Sequence, residues 1–247
     1  MFNLLLTSEP IVMGALQIWS IVVILYQTII SVLISWWTLD CRFTPDSSEL
    51  HEVTLMKLLY LYDPEACGRI YFYNISIHHD YEYYSTIIWP IKNDVASSFR
   101  RKIRLWLCIH VVWLFLSIVN VTHGQRSCGF YVVLLPFTLT GITSLLVDII
   151  FMSIFLRDIE VTNTEIAILQ YISEPGSFNW INKPFPWNYA LEQDEDTSWI
   201  SLLFAYISCR GIVQWFINFW LVKDNYSDGI AAYHRLQKEK TRAVSKV

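Results

Sequence analysis

Charge is what this chain has least of. Charged residues make up 16% of its 247 positions, where an ordinary soluble domain carries about a quarter. With 54% hydrophobic residues and a mean hydropathy of +0.36, that scarcity excludes a soluble globular domain and points to an integral membrane protein. Basic charge is no more abundant than acidic. The net charge of −4 provides no concentrated cationic surface for nucleic acid. There is no internal repeat, no P-loop, no GxGxxG, no paired CxxC and no GxSxG nucleophile elbow. Only six histidines occur, and only His78-His79, followed by Asp80, are adjacent. A membrane di-iron centre needs several histidine clusters, and no cysteine and histidine spacing here makes a zinc site. His78-His79-Asp80 therefore reads as an exposed polar turn between aromatic segments. The chain is read as non-enzymatic, with no metal and no cofactor.

What the chain does have is long apolar runs. Four predicted spans cover about 11–37, 105–121, 129–156 and 198–222, each long enough for a bilayer whose core takes about 17–25 helical residues. The fold class expected is an all-α membrane protein, a four-transmembrane-helix bundle in one domain with two sizeable extracytoplasmic loops, 38–104 and 157–197, and a cytoplasmic tail, 223–247. Ser8-Glu9-Pro10 suits a helix start. The first run is too long for a signal-peptide core, lacks a basic leader and ends in Trp36-Trp37, so a retained span is expected. Spans two and three, separated by a short segment, should form an antiparallel hairpin. Pro136 predicts a kink in the third, with Thr138 or Thr140 re-satisfying the freed carbonyl.

The loops carry the remaining signals. Asp46 to Glu49 resembles a helix start followed by apolar residues at helical spacing, either lying on the membrane or packed against its own loop. Two aromatic, β-branched stretches, 71–76 and 81–88, can pair as short strands. Cys41 and Cys67 share the first loop and can form a disulfide in an oxidising compartment. Cys108, Cys128 and Cys209 read as small apolar packing residues. In the second loop, between proline breakers, Trp180, Phe185, Trp187 and Tyr189 form a candidate partner-contact surface; packing on the bundle mouth or in the headgroup layer is the alternative. Orientation is argued from both sides. The basic tail (Arg235, Lys238, Lys240, Arg242, Lys246) and the sequon at Asn74 favour cytoplasmic termini, whereas Arg100, Arg101, Lys102 and Arg104 then fall outside.

The most specific pattern lies inside the spans. Each carries one polar line at helical intervals: Ser20, Gln27 and Ser31; His110 and Ser117; Thr140, Ser144 and Asp148; Arg210 and Gln214, with Asn218 drifting off. Gln27, His110, Asp148 and Arg210 fall at similar depth, and Ser144 and Gln214 lie one turn away. An arginine in hydrocarbon costs at least ~2.5–3.5 kcal/mol and needs a partner. Asp148 is the one acid inside another long apolar run, so a buried Asp148–Arg210 pair is expected. Two readings compete: a network that fixes helix register, or a proton or ion path through His110 and Asp148. One arginine opposite one aspartate leaves no spare acceptor for a cation, which favours the first. No pair of discontinuous helices is visible in the sequence either.

The Gly14-containing first span, the short second hairpin, LLPFTLTGI (134–142) and the closing SCRGIVQWFINFW (208–220) resemble the arthropod four-span proteins of the pasiflora septate-junction type and, more distantly, the lysosome-associated four-span proteins. The resemblance covers the spans and not the loops, and the first loop has no claudin-type tryptophan and paired-cysteine signature. It implies a four-helix membrane protein with cytoplasmic termini and an organising or junctional role. The partners expected are the lipid bilayer and other integral membrane proteins, with a second copy of the chain among the candidates. An auxiliary subunit of a channel or transporter and a small proton-coupled carrier are the alternatives. The plasma membrane is preferred over the endolysosomal membrane.

Overall fold

A computed structural model describes residues 9–45, 51–68, 71–76, 84–88, 92–123, 130–172 and 196–245. In chain order these form α1 (Glu9–Leu39), α2 (His51–Met56) running into a π-helical turn (Lys57–Leu61), α3 (Pro64–Cys67), β1 (Tyr71–Ser76) and β2 (Tyr84–Ile88). There follow α4 (Asp94–His123), a second π-helical turn (Phe130–Leu134), α5 (Leu135–Asp158), α6 (Glu165–Ile172), α7 (Ser198–Ser208) and α8 (Ile212–Val244). Among the described residues four segments are long and apolar enough to cross a membrane: Ala15–Leu39, Asp94–Thr122, Phe130–Val161 and Ser198–Val244. The two strands pair antiparallel, with Tyr71 opposite Ile88 and an irregularity between Phe72 and Ile75.

Three boundaries differ from the sequence-based expectation. The second long helix begins at Asp94, well before 105, because Asn93 caps it: its Oδ1 accepts from the N–H groups of Val95 and Ala96 at 3.1 and 3.0 Å. Arg100, Arg101, Lys102 and Arg104 are thereby helical rather than loop. Pro136 lies in the first turn of α5, directly after a π-helical turn, so its missing N–H falls where the helix changes type. The Thr138 hydroxyl bonds the Leu134 carbonyl at 2.8 Å. The predicted mid-span kink becomes this junction.

The third difference is the largest. The fourth span is two helices, not one continuous run over 198–222. Arg210 has φ 57° and Gly211 φ 75°. The Arg210 N–H bonds the Ile207 carbonyl at 2.7 Å and the Gly211 N–H bonds the Tyr206 carbonyl at 3.2 Å. This paired stop closes α7 in a left-handed turn, with arginine where glycine is usual. The Gly211 carbonyl then accepts from Gln214 and Trp215 at 3.1 and 3.3 Å and starts α8. The polar tail extends the last helix to Val244.

The chain divides into two compact units, one of Met1–Leu33, Leu105–Met152 and Tyr206–Val247, the other of Ile34–Arg104 and Ser153–Ala205. In the first, Ile24, Trp113, Phe137 and Val222 form a buried core flanked by Leu114 and Leu116. Gly141 lets backbone approach: a methyl there would stand 2.5 Å from Val222 Cγ2 and 3.2 Å from the Trp113 ring. Small residues at such crossings suit helices that associate without a hydrophobic driving force between them. In the second unit the core is aromatic. Tyr60 meets Phe99, Phe155 and Phe204 at ring-centroid distances of 5.9, 5.2 and 4.5 Å. A Cys41–Cys67 disulfide, with Cα atoms 5.6 Å apart, ties the end of α1 to α3.

Candidate functional site

The helix break presents Arg210 to three other segments at once. Its Nη2 stands 3.0 Å from Asp148 Oδ1 and 2.9 Å from Oδ2, and donates to Ser144 Oγ at 2.6 Å. Its Nη1 donates to Gln27 Oε1. Asp148 is fully buried and the Arg210 side chain is 6% exposed, so the charges meet out of solvent. Trp106 adds a donor, its Nε1 lying 3.2 Å from Asp148 Oδ1, and its ring lies 5.4 Å from the Arg210 guanidinium carbon. Gln27 and Asn218 close the layer as a reciprocal amide pair: Gln27 Nε2 donates to Asn218 Oδ1 at 2.7 Å, and Asn218 Nδ2 to Gln27 Oε1 at 3.1 Å. Buried polar groups that satisfy one another in this way fix which helix faces meet.

The remaining sequence-predicted residues are placed as follows. Gln214 reaches Asn218 at 3.5 Å, at the margin of the network. His110 is fully buried beside the Trp106 ring, 4.7 Å between centroids, and its Nδ1 donates to the Trp106 carbonyl at 2.7 Å. Its Nε2 makes no hydrogen bond among the described residues. Cys41 and Cys67 are bonded to each other, and Cys209 is buried near Met152, 3.4 Å between sulfurs. Asn74 lies in β1. The sequon asparagine Asn225 is buried and bonded to Ser20 Oγ at 2.8 Å. The Asp46 to Glu49 start, His78-His79-Asp80, Cys128 and the aromatic set Trp180, Phe185, Trp187 and Tyr189 lie outside the described residues. Among the described residues no three His, Cys, Asp or Glu side chains are placed to hold a metal ion.

Two clusters in the other unit were not legible in the sequence. Asp158, 3% exposed, accepts from the hydroxyls of Tyr60 and Tyr171 at 3.1 and 3.0 Å. The Tyr60 oxygen also meets Ser201 Oγ at 2.8 Å, and Ser201 meets Thr162 Oγ1 at 2.8 Å. Burial, reinforced by the Asp158 charge and hydrogen bond, pushes the Tyr171 phenol up to about 12. Burial likewise raises Tyr60 far above the ordinary phenol range, against the Ser201 hydrogen bond, with Asp158 adding to the rise. Second, Arg100, 7% exposed, donates through Nη1 to the Thr38 carbonyl at 2.8 Å and through Nη2 to the Leu39 carbonyl at 3.2 Å. Its Nε lies 3.8 Å from Asp63 Oδ2. The guanidinium thus satisfies carbonyls at the C-terminal end of α1.

The class defined by the fold is a predominantly helical protein with four segments able to span a membrane and a buried ionic network in its span-rich unit. Compared with known proteins, the chain matches no family model, no curated protein and no solved structure.

Proposed function

We propose that this chain is a non-enzymatic, multi-pass membrane protein that organises other membrane proteins by lateral association, at the plasma membrane and at cell contacts. The observation that carries this reading is the buried Arg210–Asp148–Ser144–Gln27–Asn218 layer. The arginine neutralises Asp148 at 2.9 Å, which disfavours coordination of a passing cation there, and the network serves the shape of the bundle instead. A chain whose interior is committed to its own packing acts through its surfaces and loops.

The disulfide supports placing the first loop on the oxidising side, with both termini cytoplasmic. The basic residues that argue against that orientation are partly used internally: Arg100 is engaged by Asp63 and two carbonyls, and Lys102 Nζ sits 4.9 Å over the Phe155 ring. Proximity labelling and cross-linking in native membranes test the proposal. Integral membrane proteins should be captured, and purified protein in vesicles should pass neither protons nor metal cations. A channel or transporter as the dominant partner favours an auxiliary subunit. Proton flux abolished by His110→Phe favours the carrier reading, for which the unpartnered Nε2 of His110 is the supporting observation.

A further inference from the structure

The disulfide has an unusual neighbour. Arg100 Nη1 lies 3.3 Å from Cys67 Sγ and 3.8 Å from Cys41 Sγ. The same nitrogen donates its other hydrogen to the Thr38 carbonyl at 2.8 Å, Nη2 is held by the Leu39 carbonyl, and Asp63 faces Nε. The guanidinium is therefore held by two carbonyls and faced by one carboxylate while Nη1 also turns to the disulfide. Both cysteines are half-buried, so a small reagent can reach them. Cys41, moreover, has φ 57°, a left-handed backbone that an L-residue adopts reluctantly.

We propose that Cys41–Cys67 is a thiol-exchange site, attacked by a small thiol at Cys41 and releasing Cys67 as the thiolate that Arg100 stabilises. This rests on the reading that the first loop faces an oxidising compartment, where such a bond forms and small thiols set its fate. An external thiolate attacks Cys41 Sγ, the Cys41–Cys67 bond breaks, and its electron pair leaves on Cys67 Sγ into the Nη1–H already pointing there. A mixed disulfide remains on Cys41. A second thiol then displaces Cys41, so that two external thiols are oxidised to one disulfide while the protein gains two thiols. The direction follows from the leaving group: a thiolate next to a guanidinium is the better one, and the closer contact is to Cys67. The state change bears on packing, because it unties the end of α1 from α3.

The test uses the full-length protein in detergent, with reduced glutathione as the probe, acid quench, maleimide blocking and peptide mass spectrometry. Glutathione should appear on Cys41, with maleimide on Cys67, in several-fold excess over the reverse. Arg100→Gln should slow exchange about three- to tenfold, the effect of moving a leaving thiol by one to two pKa units at a Brønsted slope near 0.5, while Arg100→Lys should keep most of the rate. Because Arg100→Gln removes a buried side chain and can fail to fold, the position of glutathione on the native chain decides independently. Glutathione on Cys67, an even distribution, or no exchange in a protein whose disulfide is intact overturns the proposal and leaves the topology untouched. Two free thiols in freshly isolated protein overturn both.

Discussion

Arg210 reaches Asp148 from a residue that is not helical. Its Nη2 stands 2.9 and 3.0 Å from the two carboxylate oxygens while its own backbone holds φ 57° between α7 and α8. The ion pair and the break in the fourth span are one feature, since the left-handed turn sends the guanidinium sideways to Asp148, Ser144 and Gln27 together.

Removing either partner strands a charge in the interior, at a typical cost of about 3–5 kcal/mol, whereas replacing both by apolar residues can be nearly neutral. Asp148→Leu and Arg210→Leu should each lower folded yield and melting temperature sharply. The double substitution should recover much of the loss, because Gln27 and Asn218 retain each other. Strict additivity in the thermal-shift cycle would show that the two residues are not coupled.

The backbone share of the feature can be separated from the charge. In the Asp148→Leu background, Arg210→Gly should be more stable than Arg210→Leu by about 1 kcal/mol, since only glycine takes positive φ without steric cost. An Arg210→Leu variant as stable as Arg210→Gly would contradict the left-handed turn, and a more stable one would mean that the fourth span runs unbroken, where glycine is the poorer helix former.

Packing at Gly141 makes a third prediction. Gly141→Ala should destabilise the protein by about 1–3 kcal/mol through overpacking against Val222 and Trp113. Adding Val222→Ala should return part of that loss. No rescue in the double variant would place the clash elsewhere.

Much of the span-rich unit was legible because so few polar residues interrupt its apolar runs. Asp148 and Arg210 could be paired because each is the isolated charge in its apolar run and the two lie at similar depth. Counted along an unbroken helix, Asn218 drifts from the polar line. The break at 209–211 shifts the helical phase, and Asn218 then turns inward to Gln27. The signal was present in Gly211 following arginine, a left-handed stop in the middle of a span. Asp158 was hidden for a different reason. It sits beside Arg157 at the end of an apolar run, where a charged residue reads as a membrane boundary, and its partners Tyr60 and Ser201 come from distant parts of the chain. Arg100 likewise read as a flanking charge, although Asn93 extends the helix and turns it into a buried clamp.

The Tyr60–Asp158–Tyr171 cluster makes stability depend on alkaline pH. Both phenols have folded-state values raised above the ordinary 10.0, Tyr171 to about 12 and Tyr60 beyond it. Between those values the native state binds more protons than the unfolded chain, so this contribution is whole below pH 10 and declines as pH rises above it. The melting temperature should fall from about pH 10 upward, and Tyr171→Phe should flatten that fall. Tyrosinate absorbance rising in full below pH 11, in still-folded protein, would contradict the burial of both hydroxyls.

Topology gives the last prediction. If the disulfide-bonded first loop faces the lumen or exterior, the sequon at Asn74 shares the compartment of the glycosylation machinery. Asn225 is buried against Ser20. Glycosidase should shift the mobility of protein expressed in animal cells, Asn74→Gln should abolish the shift, and Asn225→Gln should leave it unchanged. A tag after residue 247 should be protected from protease in intact cells and become cleavable once the plasma membrane is permeabilised. Protease removal of that tag from intact cells would invert the orientation. The Cys41–Cys67 bond would then lie on the reducing side, where it would not persist.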